Sequence, residues 1–242
     1  MVISAKDEER RIRGTALAAR ELPGVDLVVV VDDGSSDGTR AEAQAADAAV
    51  ISHPRNLGKA AAMTTGAELV AAFEAQDGRA EPRALLFLDA DLEGTAAAAA
   101  PLIGPVLDGL ADMTIAVLPP QRQAGGGRGL VVDLARDGIE RATGWTATQP
   151  LSGQRCLTRS AFAAALPLAG GFGVEVGLTI DLVRAGMRVR EVEVDVHHRV
   201  TGTDWRAQVH RGRQYRDVAR ALVARGVLPR PWRRGTAPPA PR

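Results

Sequence analysis

Unbroken apolar runs mark the first half of the chain, and two of them end in acid. Leu27-Val28-Val29-Val30-Val31 runs into Asp32-Asp33-Gly34-Ser35-Ser36-Asp37-Gly38-Thr39, and Leu85-Leu86-Phe87-Leu88 runs into Asp89-Ala90-Asp91. A strand with one wet face alternates, so unbroken runs of this length predict strands buried on both faces. The pattern predicts strands at Val2–Ser4, Val25–Val31, Ala49–Ile51, Leu85–Leu88 and Met113–Val117. The first is short for a central strand, and the expectation is a natural start a few residues upstream. Between them the 3.6-residue period predicts helices over Lys6–Leu22, stopped by Pro23-Gly24, then Thr39–Ala46, Lys59–Glu74 and Gly94–Leu110. Strand and helix in alternation mean an α/β fold, with a mostly parallel, doubly wound sheet joined by right-handed crossovers.

Beyond Val117 the texture changes. Pro119 to Gly129 is too rich in Gly and Pro for regular structure, and a mobile lid is expected there. A helix follows over Leu130–Arg141, then a turn at Ser152-Gly153-Gln154-Arg155 before a short strand. Gly170–Gly173 leads into a helix over Val174–Arg184 that ends at Gly186. Val189–His198 alternates, with Val192, Val194 and Val196 on one face and Glu191, Glu193 and Asp195 on the other. That register turns His198 inward, while His53 and His210 are expected at the surface. Trp205–Arg225 reads as an amphipathic helix, and the Pro/Arg-rich remainder is expected to be disordered.

Length and composition add bounds. A chain of 242 residues with 45% hydrophobic and 24% charged residues suits one globular domain with a full core. No apolar run approaches the ~20 residues of a spanning helix, and no signal peptide is visible in Met1–Asp7. The lone Cys156 excludes an intrachain disulfide and suits a reducing cytoplasm. Residues 196–242 hold eleven Arg against Asp204 and Asp217, a charge of +9 that leaves −8 on residues 1–195. Such a basic tail could face phosphates, an anionic membrane or nucleic acid. Lys6 and Lys59 are the only lysines, and each stands where a predicted loop of the chain's first half passes into a helix.

Carboxylates directly after buried parallel strands lie at the sheet's carboxyl edge, where open α/β folds bind ligands. Asp89-Ala90-Asp91 there makes a hard oxygen site for Mg²⁺ or Mn²⁺ bridging diphosphate oxygens, although an acidic turn capping a helix has the same sequence. Asp32 and Asp33 could accept N–H groups of a nucleobase, whereas Asp37 is the residue expected to cap the next helix. Gly58 allows close backbone approach, and Lys59 lies in a first helical turn, where open amides favour anions. An inward His198 could complete a metal site, with Mn²⁺ then preferred, or could be a core histidine bonded to backbone. Glu175 could bond sugar hydroxyls, assist a metal, act as a base, or simply sit at a positive helix end. Arg122 and Arg128 flank the triglycine and could hold an anionic acceptor. No P-loop and no dinucleotide fingerprint follows the first strand.

Together Ile3-Ser4-Ala5-Lys6-Asp7-Glu8-Glu9, Val31-Asp32-Asp33-Gly34-Ser35-Ser36-Asp37, Asn56-Leu57-Gly58-Lys59 and Asp89-Ala90-Asp91 resemble nucleotide-sugar glycosyltransferases of the GT-A fold, family 2 and its relatives. The second half, from Pro150-Leu151-Ser152-Gly153 through Gly171-Phe172-Gly173-Val174-Glu175 to Val196-His197-His198-Arg199, is similar to bacterial glucosyl-3-phosphoglycerate synthases and to polyprenyl-phosphate sugar transferases. The resemblance implies a single GT-A domain, with residues 1–118 binding the nucleotide sugar and 119–225 the acceptor, and 226–242 as tail. It implies that Ser4, Ala5, Glu8, Asp32 and Asp33 surround the nucleoside, with Gly58 and Lys59 at base or phosphate. Asp89 and Ala90 would lie near ribose and sugar, and Glu175 would touch the transferred sugar. Asp91 and His198 would hold Mn²⁺ or Mg²⁺, while Ser152, Gly153, Arg122 and Arg128 would face the acceptor. Ser4 departs from the proline often found at its position.

The resulting expectation is a cytoplasmic enzyme moving a hexose, glucose from UDP-glucose first, to a small anionic acceptor, with retention or inversion left open. The alternative is a polyprenyl-phosphate transferase, with GDP-mannose or a UDP-sugar as donor, whose 205–225 helix lies on the inner face of the membrane. A silent nucleotide-binding protein and a sugar nucleotidyltransferase fit less well. No nucleic-acid partner is expected, and a homodimer is allowed.

Overall fold

The structure is a computed structural model that describes residues 1–119, 128–196 and 205–228, with backbone alone at Arg128 and 205–211. In chain order it forms β1 (Val2–Ala5), α1 (Ile12–Arg20), β2 (Val29–Asp32), α2 (Thr39–Ala45), β3 (Ala49–Ser52), α3 (Lys59–Gln76) and β4 (Leu85–Asp89). A 3₁₀ stretch, Glu93–Leu102, leads to α4 (Gly104–Leu107), β5 (Met113–Val117), α5 (Arg128–Thr143), β6 (Arg155–Leu157) and α6 (Arg159–Ala164). A 3₁₀ turn, Gly171–Gly173, then precedes α7 (Val174–Arg184), β7 (Val189–Glu193) and α8 (Trp205–Val223).

The strands make one seven-stranded sheet in the order β3-β2-β1-β4-β6-β5-β7. Pairing is parallel except at β6, which runs antiparallel between β4 and β5. The unbroken apolar runs are buried on both faces, as their composition requires. Val2, Val29, Val31, Leu85 and Phe87 face one core with Ala62, Met63, Ala67 and Val70 of α3. Ile3, Val30, Leu86 and Leu88 face the other with Ile12, Ala16 and Ala19 of α1. Helix α3 buries Ala62, Met63, Gly66, Ala67, Val70 and Glu74, the three-and-four spacing of one helical face. It lies so close to β1 that a methyl at Gly66 would stand 2.3 Å from a Val2 methyl.

Several boundaries differ from the sequence reading, each for a local reason. β2 begins at Val29 rather than Val25, because the Val25 amide closes a turn onto the Leu22 carbonyl. α1 begins at Ile12 rather than Lys6, since Asp7 turns left-handed at φ 55° and its carboxylate accepts from the Ser36 amide. The helix expected over Gly94–Leu110 is largely 3₁₀, with Pro101 unable to supply an α-helical N–H. α6 was not foreseen, although the Thr158 hydroxyl caps it by accepting from the Ala161 amide at 3.1 Å. Val192, Val194 and Val196 do share a buried face, continuing past the end of β7.

Over its described side chains helix α8 buries Val218, Ala221 and Leu222, while Tyr215 and Val223 are exposed. Val218 and Leu222 pack with Ile139 of α5 and Val176 and Ile180 of α7, and Val227 joins the same cluster. Arg213, Arg216 and Arg220 are exposed on the far side. That is the pattern of a helix docked on its own domain with solvated arginines. Among the described residues no helix is long and apolar enough to cross a membrane.

Candidate active site

Strand register brings the two acidic ends to one edge, pairing Ala5 with Asp32 and Ser4 with Asp89. At the first end Asp32 accepts from the Ser35 amide at 2.9 Å and so shapes its own loop. Asp33 is more fully engaged. One oxygen accepts from the Leu57 amide and from His53 Nδ1, each at 2.8 Å, and the other accepts from the Gly58 amide at 2.8 Å. A carboxylate only accepts, so Nδ1 carries the proton toward Asp33, and Nε2 lies 3.0 Å from the Thr65 hydroxyl. Burial pushes the Asp33 carboxyl up, but the His53 bond and the two amides outweigh it and hold it below the ordinary value. His53, expected at the surface, has only 8% of its side chain exposed because Asp33 and Thr65 both claim it. The bond to Gly58, in a left-handed conformation at φ 92°, sets the turn that starts α3.

Lys59, the first residue of α3, reaches across to the second acidic end. Its Nζ lies 2.7 Å from Asp89 Oδ1 and 3.0 Å from Glu175 Oε1. Burial disfavours the ammonium, yet Asp89 and then Glu175 more than compensate and hold its pKa above the usual lysine value. The other Asp89 oxygen accepts from the Gln154 amide at 2.7 Å. Gly153 lies beneath this contact, and a Cβ there would meet Lys59 Nζ at 2.4 Å, so no other residue fits without moving the lysine.

The floor of the site is held by a buried cation. Arg155 is 1% exposed and donates to the Ser152 carbonyl at 2.8 Å, the Pro150 carbonyl at 3.3 Å and the Thr179 hydroxyl at 2.8 Å. Thr179 in turn donates to the Glu175 carbonyl at 2.8 Å, which ties the 150–154 turn to α7. Burial pulls the guanidinium down to about 10, so Arg155 stays charged at neutral pH with Glu175 and Glu191 as nearby counter-charges.

Asp91 follows Asp89 by two residues and is half-buried, in a turn over 90–93 whose ends both meet the Thr15 hydroxyl. Glu8 is paired with Arg11 at 2.6 Å, and its amide donates to the Thr39 hydroxyl at 2.8 Å. The Glu8 hydrogen bond above all, with Asp91 and Glu93 adding to it, raises the Arg11 guanidinium pKa.

Of the residues named from sequence, Lys59, Asp89, Gly153 and Glu175 thus form one contact set, with Asp33 holding the Gly58 amide beside Lys59 and Ser4, Ala5 and Asp32 on adjoining strand ends. Ser152 is buried, with its hydroxyl 3.4 Å from the Gln154 amide oxygen. Arg122 and His198 lie outside the described residues, and of Arg128 only its place at the start of α5 is described. Among the described residues no group of three or more His, Cys, Asp or Glu is placed to hold a metal. Asp89 is bonded to Lys59 and Gln154, and Asp91 stands two residues on as a second carboxylate. A hard divalent ion that shares diphosphate oxygens and water needs only one or two carboxylates, so this donor set fits Mg²⁺ or Mn²⁺. Gln154, Arg155, His53 and Thr15 were missed as site residues, since no motif surrounds them and their partners lie far off in sequence.

The model of glycosyl transferase family 2 matches residues 1–162. Glucosyl-3-phosphoglycerate synthases of Mycobacterium tuberculosis and Mycobacterium bovis are each 29% identical over 95% of this chain and 74% of theirs. A crystal structure of the M. tuberculosis enzyme with Mn²⁺, UDP and phosphoglyceric acid superposes with a TM-score of 0.73 at 28% identity, over 95% of this chain and 78% of that one. Another, with Mg²⁺ and UDP, gives a TM-score of 0.72 at 28% identity, over 93% and 78%. The fold is therefore that of the GT-A glycosyltransferases, and this chain belongs to glycosyl transferase family 2.

Proposed function

We propose that this chain transfers glucose from UDP-glucose to a small phosphorylated acid of the phosphoglycerate class. The observation that carries the reading is Lys59 held between Glu175 and Asp89 at the carboxyl edge of the sheet, Asp89 being two residues before Asp91. A relative crystallised with Mn²⁺, UDP and phosphoglyceric acid, and also with Mg²⁺ and UDP, supports the choice of substrates. In this reading residues 1–118 take the donor and 119–225 the acceptor.

Asp91 would hold the divalent ion, with His198 as its second protein ligand. Once bound, the ion would neutralise charge developing on the departing diphosphate. Lys59 adds a fixed cation at the same place, preorganised by two carboxylates so that little reorganisation is needed. Asp89 and Glu175, each already turned toward Lys59, present acceptor oxygens to ribose and sugar hydroxyls. Gly153 makes room for Lys59 and Asp89 themselves, since a Cβ there would collide with both. Ser4, Ala5, Glu8 and Asp32 border the nucleoside, and Asp33 acts by fixing the Leu57–Gly58 amides rather than by offering free oxygens. Arg122, Arg128 and Ser152 would receive the acid. The burial of Val218 and Leu222 against α5 and α7 supports an acceptor taken from solution rather than from a membrane, and a lone, buried Cys156 suits the cytoplasm.

The test is incubation of the purified chain with UDP-glucose, 3-phosphoglycerate and Mn²⁺, following UDP release and product mass. UDP release that requires the acid, with a glucosylated acid as product, is the expected result. Equal UDP release with and without the acid contradicts the reading.

A further inference from the structure

We infer that Thr15 is a positioning residue for the metal-binding turn, its buried hydroxyl being inserted into the turn that carries Asp91. The inference rests on the functional reading above and extends it to a residue outside every motif.

Thr15 lies within α1 and is 0% exposed, a polar group on a face otherwise built from Ile12, Ala16 and Ala19. A threonine inside a helix ordinarily bonds back to the carbonyl four residues earlier. Here that oxygen, of Arg11, lies 3.3 Å away, while the Ala90 carbonyl is nearer at 2.8 Å and takes the hydroxyl proton. The same oxygen accepts from the Glu93 amide at 2.8 Å. The Ala90 carbonyl and the Glu93 amide are the first and fourth residues' groups in a four-residue turn, the pair that bond one another when such a turn closes. The hydroxyl therefore holds the turn open, and Asp91 is its second residue. The opened turn also places Glu93 in a left-handed conformation, φ 49°, that a residue with a side chain seldom adopts unaided. Without the hydroxyl both backbone groups are best satisfied by bonding each other, and the direction of the Asp91 carboxylate changes with them. Side chains that orient a metal ligand from behind in this way commonly govern affinity without touching the ion.

The experiment titrates Mn²⁺ calorimetrically into protein with and without saturating UDP, for wild type, Thr15→Val and Thr15→Ser, alongside UDP binding without metal and thermal melting. Thr15→Val is expected to weaken Mn²⁺ by about tenfold or more while UDP alone binds within about twofold of wild type. Thr15→Ser keeps the hydroxyl and is expected to keep wild-type Mn²⁺ affinity. A Thr15→Val protein that melts lower but binds Mn²⁺ like wild type overturns the inference, because the hydroxyl would then be only a structural filler. Should Thr15→Val not fold, Thr15→Ser still decides: a tenfold loss there assigns the effect to the methyl group and overturns the inference. Wild-type protein that gains no Mn²⁺ affinity from UDP sinks the functional reading itself, whereas equal gains in wild type and Thr15→Val sink only the role of Thr15.

Discussion

After β2 the chain places Asp33 with 8% of its side chain exposed and both oxygens bonded to backbone amides and a histidine. At the end of β4 it places Asp89 with 31% exposed, bonded to the side chains of Lys59 and Gln154. Both acids follow buried apolar runs at one edge of one sheet. They differ in what donates to them. Amides from a neighbouring loop turn a carboxylate into a bracket that holds that loop. A lysine and a glutamine, both side chains, leave the second acid partly exposed two residues from Asp91, and the proposed function has a substrate share it. A strand-end acid in an α/β sheet is thus a scaffold or a ligand group according to its donors, and its position alone does not decide which.

Four substitutions sharpen the contrast, in order of expected effect. Asp91→Ala should lower turnover by about a thousandfold or more, since it removes the proposed metal ligand, with melting within a few degrees of wild type. Activity within tenfold of wild type would remove Asp91 from the mechanism. Lys59→Met should cost roughly 10²–10³ in kcat, the scale for losing one preorganised group that stabilises developing charge. It also leaves Asp89 and Glu175 without the cation they share, so adding Asp89→Asn should recover part of any lost stability, which a melting curve would reveal.

Gly153→Ala should displace Lys59 and lower kcat about 10- to 100-fold, as expected of a misplacement near 1 Å. A crystal structure of that variant with Lys59 unmoved would contradict the steric argument. Asp33 supplies the smallest effect on chemistry and a distinct one on stability. Its folded pKa lies below the unfolded 3.8, so its contribution is complete above that value and is lost as pH falls through the folded pKa. Wild type should accordingly lose stability more steeply than Asp33→Asn below about pH 4 in denaturant titrations. Parallel acid limbs would show that the bracket carries no stability.

Much of this was legible in the residues. Unbroken Val and Leu runs gave the doubly buried strands, because periodicity reports burial directly, and the strand-end acids gave the functional edge. The direction of β6 was not legible, since Arg155–Leu157 is only three residues long and carries no sign of its partner. The division of labour between Asp33 and Asp89 was hidden for a similar reason. It depends on His53, Leu57 and Gly58 arriving from one side and on Lys59 and Gln154 from the other, contacts between 20 and 65 residues apart that no local pattern encodes. His53 looked like a surface residue because its only neighbours in sequence are Ser52 and Pro54. Arg155 shows the same blindness, as a charge in a turn ordinarily faces water and this one is enclosed by carbonyls that the turn itself supplies.

The most direct test of the account is UDP binding measured with and without Mn²⁺ in wild type, Asp33→Asn and Asp91→Asn. The account predicts that Mn²⁺ strengthens UDP binding in wild type and in Asp33→Asn, and that Asp91→Asn loses this gain while still binding UDP alone. A gain that survives in Asp91→Asn and disappears in Asp33→Asn would contradict it.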